Sequence, residues 1–133
     1  MVEQLLQTND AVLETSQSVK DTITELREAG YFAILVDRAP VFNKETLLHA
    51  LYQSCVFPAY FGFNWDALED TLKTDWLESS PTFKGYVLVF RNFAVLEERA
   101  ENVAKTFLDI VRDAAKSRQE KGKVPLYVVC VKQ

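Results

Sequence analysis

Glycine, proline and cysteine are all scarce in this chain: of 133 residues, four are glycine, four are proline and two are cysteine. The glycines stand apart at 30, 62, 85 and 122 and leave no room for a phosphate-cradling loop or a dinucleotide fingerprint. Two cysteines are too few for a disulfide framework. Cys55 and Cys130 both sit in apolar patterns and read as small buried side chains. The one histidine, His49, lies between Leu48 and Ala50 with no serine or cysteine nucleophile motif beside it. It therefore reads as a surface or half-buried residue and not as a general base. Positive charge is short as well: 15 Lys and Arg stand against 19 Asp and Glu, a net charge of -4. A nucleic-acid binder would normally carry a basic stripe, so nucleic acid is not the expected partner. No apolar run approaches the ~20 residues that a membrane span requires. The start, Met1-Val2-Glu3-Gln4, has no basic residue leading into an apolar stretch. It does not read as a secretory signal, and the expectation is a cytoplasmic protein with no membrane partner.

What the chain does have is one domain's worth of core-forming sequence, with 48% apolar and 26% charged residues. Residues 31–36, 86–90 and 126–131 are continuous apolar runs, the pattern of strands buried on both faces of a parallel sheet. Helical periodicity falls between them. Ser16 or Ser18 caps a helix over residues 19–29, Asn43 caps one over 44–55, and Asn64 caps one running to about 79. A long helix over 95–119 precedes the last strand. Lys116, Arg118, Lys121 and Lys123 gather at its C-terminal end, where the helix dipole favours cations. Residues 1–16 carry only a loose apolar pattern, enough for a weakly ordered helix.

The expected fold is thus α/β: a three-stranded parallel sheet, order 1-2-3, with crossover helices and an extra N-terminal helix. Right-handed crossovers would put their helices on one face, so the helix at 19–29 is expected to shield the other. The expected organisation is an N-terminal helical extension over 1–30 followed by one unit over 31–133.

The charge is unevenly placed. Between residues 59 and 80 there are five acids and one base, while outside that window 14 acids balance 14 bases. The whole excess therefore lies on one helix and the loop before it. Winding that helix from Asn64 puts Trp65, Leu68, Leu72 and Trp76 on the inward stripe. Asp66 and Asp70 fall one turn apart on the outward face, with Glu69 at its edge and Lys73 beside them. A like-charge pair at that spacing costs a few tenths of a kcal/mol, and nothing in folding requires it. Tyr60, Phe61 and Phe63 crowd the short loop around Gly62, so at least one ring should face out as a contact. The bland alternative is a solvated acidic face. A metal site is disfavoured because no histidine or calcium-type loop lies near Asp66 and Asp70. A carboxylate hydrolase would need a cleft between Asp66, Asp70 and Asp113.

The segment Phe57-Pro58-x-Tyr60-Phe61-Gly62-x-Asn64-Trp65-Asp66-Ala67-Leu68-x-Asp70-x-Leu72 resembles the signature of the barstar family of intracellular ribonuclease inhibitors. Val87-Leu88-Val89-Phe90-Arg91-Asn92-Phe93 is similar to that family's second strand and following turn. Leu108-Asp109-Ile110-Val111-Arg112-Asp113-Ala114 is similar to its last helix, and residues 126–131 to its last strand. The resemblance implies a small α/β fold. It also implies a mechanism, in which an acidic helix and aromatic loop imitate RNA phosphates inside a ribonuclease. By that resemblance Tyr60 is the loop contact, Asp66 and Asp70 the helix anchors, and Asp113 the acid on the last helix. Glu69 replaces the family's contact tryptophan, and Phe63 replaces an acid. The expected partner is a ribonuclease or a related nuclease toxin with a cationic cleft. The chain is expected to be no enzyme, to need no cofactor, and to be a monomer or weak homodimer. The competing expectation is an interaction module of the same fold, or a homodimer through residues 1–30, without a ribonuclease.

Overall fold

The computed structural model describes residues 1–36, 40–74, 76 and 83–132. Ten elements follow in order: α1 (Val2–Gln7), β1 (Val12–Thr15), α2 (Val19–Glu28), β2 (Phe32–Val36), α3 (Lys44–Cys55), α4 (Trp65–Lys73), β3 (Tyr86–Arg91), α5 (Phe93–Arg99), α6 (Glu101–Glu120) and β4 (Leu126–Val131). The strands form one parallel sheet in the order β1-β4-β3-β2.

The three apolar runs pair in the expected order, but the sheet has four strands and not three. The additional strand is Val12-Leu13-Glu14-Thr15, registered from Val12 opposite Val128 to Thr15 opposite Val131. It was hidden because an edge strand of four residues needs little apolar sequence. Only Leu13 is buried, and Glu14 is exposed. The loose pattern of the first sixteen residues therefore conceals a one-and-a-half-turn helix and a strand.

Handedness explains the layers. β2 to β3 to β4 steps one way across the sheet, and right-handed connections place α3, α4, α5 and α6 on one face. β1 to β2 crosses in the opposite direction, so the same rule places α2 on the other face. Alternate sheet residues confirm it. Leu88, Phe90, Val128 and Cys130 enter the larger core beneath α3 to α6. Val87, Val89, Val129 and Val131 meet Val19, Ile23 and Leu26 of α2 and Leu5 of α1. The helix at 19–28 thus shields the second face, as expected. Its Glu25 carboxylate ties α1 down, accepting from the Val2 N–H at 2.8 Å and pairing with the Met1 amine at 3.0 Å.

The helix expected over 95–119 is two helices. Ala100, at φ -148° and ψ 66°, is not helical and separates α5 from α6. The bend lets Phe93 of α5 and Phe107 of α6 converge on Phe90, 5.4 Å from it in each case. Neither glycine nor proline marks this break. α4 is also shorter than expected. It stops at Lys73, and Trp76 lies beyond it, donating its indole N–H to the Cys55 carbonyl at 3.0 Å. Residues 75 and 77–79 of that expected helix lie outside the described residues.

Both thiols are buried as the sequence suggests. Burial pushes Cys55 above its ordinary range and Cys130 up to about 12, so both stay protonated and inert.

Candidate functional site

The loop between α3 and α4 is built by three local devices. Val56 ends α3 in the left-handed region at φ 53°. Phe61 closes a turn by donating its N–H to the Pro58 carbonyl at 2.9 Å. Asn64 then starts α4, its Oδ1 accepting from the Ala67 N–H at 2.7 Å. Phe63, just before the cap, is also left-handed at φ 52°. A branched and an aromatic residue in that region each cost roughly 1–2 kcal/mol, because the side chain crowds the backbone.

The three rings of the loop part company. Phe61 is buried against Phe57 and Tyr52. Tyr60 points outward and is 88% exposed. Phe63 is 37% exposed and lies over α3, its ring centroid 4.5 Å from His49 and 5.1 Å from Tyr52. His49 itself is on the surface. Its stacking with the loop was not legible in the sequence, where the two residues are far apart.

Leu68 and Leu72 anchor α4 in the core, and Asp66 and Asp70 face solvent. Neither aspartate makes an ion pair or side-chain hydrogen bond among the described residues. Four residues of helix separate them by about 6 Å along the axis. Glu69 differs: it is half-buried, and Lys73 Nζ approaches its Oε2 at 3.3 Å. Lys73 therefore engages Glu69 and not Asp70. The pair is partly exposed and adds little stability.

Asp113 lies on α6, which packs against α4. It is exposed and makes no ion pair or hydrogen bond among the described residues. Its neighbour Arg112 turns elsewhere, donating from Nε and Nη2 to the Asp10 carboxylate at 3.0 and 3.3 Å. The Arg112 guanidinium holds the Asp10 carboxyl below its usual range.

One residue of the site's support escaped the sequence reading. The sequence shows Arg118 only as one of the cations gathered at the C-terminal end of the long helix. It is instead fully buried. It donates to the carbonyls of Leu72 at 3.3 Å, Thr74 at 2.6 Å and Val124 at 2.8 Å, and lies over the Tyr86 ring. The last carbonyls of a helix have no partner within it, and here a cation supplies one. Helical periodicity is the signal that could have found it: Arg118 falls on the stripe of Phe107, Val111 and Ala114.

Among the described residues no three His, Cys, Asp or Glu side chains converge as a metal site. Among the described residues no helix is long and apolar enough to cross a membrane. A cavity of about 690 Å³ lies between the α1–β1 connection, α6 and the start of β4. None of Tyr60, Asp66, Asp70 or Asp113 lines it.

These observations define a class: a small parallel α/β protein presenting bare carboxylates and an outward tyrosine from one helix and its leading loop. The family model described as Barstar (barnase inhibitor) matches residues 31–130, and the chain belongs to that family. No curated protein matches the chain. The matched region begins at the last residue before β2, so α1, β1 and α2 precede it.

Proposed function

We propose that this protein inhibits a ribonuclease by placing α4 and the loop before it in the enzyme's active site, and that it is not itself an enzyme. The observation that carries the reading is the state of Asp66 and Asp70: exposed, one turn apart, and unpaired among the described residues. A ribonuclease must hold polyanionic RNA, so its cleft is lined with cations. Two carboxylates fixed on a stiff helix can meet those cations with charge-assisted hydrogen bonds. Tyr60 adds a flat, rigid contact, and Phe63, Glu69 and Asp113 complete the surface. Residues 31–133 form the inhibitory unit and residues 1–30 extend it. The partner is a ribonuclease or nuclease toxin with a cationic cleft, met in the cytoplasm. Long-range attraction speeds the encounter, and added salt slows it.

The test is inhibition of RNA cleavage by barnase and by a panel of other small basic ribonucleases. At least one should be inhibited at a 1:1 ratio. Asp70→Ala and Tyr60→Ala should each weaken that inhibition by more than about tenfold, or ~1.4 kcal/mol. Failure to inhibit any of them, or inhibition untouched by both variants, would overturn the reading.

A second reading is self-association through residues 1–30 in place of a ribonuclease. It is favoured by β1, whose outer edge is unpaired among the described residues, and by Leu6, which is 73% exposed. Solution mass against the 15.2 kDa chain separates the two.

A further inference from the structure

The aromatic surface beside the acidic helix has a chemistry of its own. Phe63 sits in the left-handed region at φ 52°, where glycine or asparagine would rest without strain. Its ring is not needed to fill the main core, since it stays 37% exposed. It spreads instead across the outer face of α3, over His49 and Tyr52, with Phe61 edge-on at 5.1 Å. Strain held by a half-exposed ring is a reason to look for a task at that ring.

Its surroundings say which task. Asn64 caps α4, so Asp66 follows in the first turn, three residues past Phe63, with its carboxylate bare among the described residues. A π-face followed closely by an unpaired carboxylate suits one cation above others. A guanidinium is planar, stacks on rings, is weakly hydrated, and forks onto a carboxylate. An ammonium is a compact, strongly hydrated point charge.

We infer that Phe63, backed by His49 and Tyr52, forms a stacking shelf that with Asp66 seats an arginine side chain of the partner and prefers arginine to lysine there. This rests on the reading of α4 as the partner-binding helix. It assigns the loop a selective role: α4 attracts any cationic cleft, and the shelf distinguishes which cation stands at its rim. His49 and Tyr52 act as positioning residues beneath the ring.

The test uses the intact protein with hexa-arginine and hexa-lysine peptides, which carry equal charge. Binding is measured by titration at matched ionic strength. Wild type should bind hexa-arginine at least about threefold more tightly than hexa-lysine, the scale of an exposed cation–π contact. Phe63→Asn keeps every charge and suits the left-handed backbone, so it should fold with an unchanged melting temperature and lose the preference. Phe63→Tyr should retain it. Asp66→Asn should weaken both peptides. Equal affinity of wild type for the two peptides overturns the inference, as does a preference that survives in Phe63→Asn. If those results come while Asp70→Ala still weakens ribonuclease inhibition, the shelf alone is disproved. If Asp70→Ala leaves inhibition intact, the reading of α4 falls first.

Discussion

Acidic side chains are handled in opposite ways at two places in this molecule. Around the N-terminal elements three of them are neutralised within the chain. Glu25 holds the Met1 amine and the Val2 N–H, Asp10 holds Arg112, and Glu14 holds Lys132 at 3.3 Å. On α4, Asp66 and Asp70 are left bare among the described residues, one turn apart, although Lys73 lies on the same helix, where it pairs with Glu69. The first set joins elements that are distant in sequence. The second joins no elements to one another. Charge that is satisfied at home serves architecture, and charge left unsatisfied is available to a partner.

Arg118 is the deepest way to break this contrast, because it fixes the end of the helix that carries the bare acids. Arg118→Met would leave the carbonyls of Leu72, Thr74 and Val124 short of a donor inside the protein. Denaturant unfolding should show a loss of about 3 kcal/mol, the scale of charged hydrogen bonds lost from a buried site. An unchanged midpoint would mean that α4 needs no such tie.

Exchanging one acid from each region sharpens the comparison next. Asp66→Asn should weaken ribonuclease binding by about tenfold, or ~1.4 kcal/mol, and leave the melting temperature in place. Asp10→Asn should do the reverse. It should lower stability by less than about 1 kcal/mol, as its bridge to Arg112 is half exposed, and leave binding as it was. Calorimetric binding together with thermal melts separates the two outcomes. A binding defect in Asp10→Asn would show that the N-terminal elements shape the interface.

The smallest effect belongs to Glu25. Its pKa is lowered from 4.5 to about 2, first by the Val2 N–H and then by the Met1 amine. A depressed carboxyl stabilises the fold above its ordinary pKa and loses that contribution as pH falls toward the folded value. Stability should therefore decline between pH 4.5 and about 2, and Glu25→Gln should flatten that slope. The side chain is 39% exposed, so solvent screening keeps the difference below about 1 kcal/mol. Equal acid slopes in the two proteins would remove Glu25 from the account.

Much of this could be read from the sequence, and the exceptions share a cause. β2, β3 and β4 announce themselves because strands buried on both faces must be apolar throughout. Asn43 and Asn64 announce α3 and α4 because a cap is a local device. The acids of α4 were legible for the same reason, since helical winding alone decides that Asp66 and Asp70 face away from Leu68 and Leu72. β1 escaped because its partner β4 lies at the other end of the chain, and pairing there asks only Leu13 to be apolar. The bend at Ala100 follows from the convergence of Phe90, Phe93 and Phe107, a demand of tertiary packing with no glycine or proline to mark it. Arg118 and the His49–Phe63 stack are contacts between separate elements, which local periodicity does not carry.

The pairing of β1 with β4 has a temporal meaning. Val12–Thr15 can find its place only after Leu126–Val131 has been synthesised, since among the described residues no other strand borders it. Closing so long a loop is entropically slow, and until it closes one flank of β4 stays open to other chains. β1 thus cannot dock before β4 is made, and in the interval before it does the open flank of β4 is exposed to aggregation.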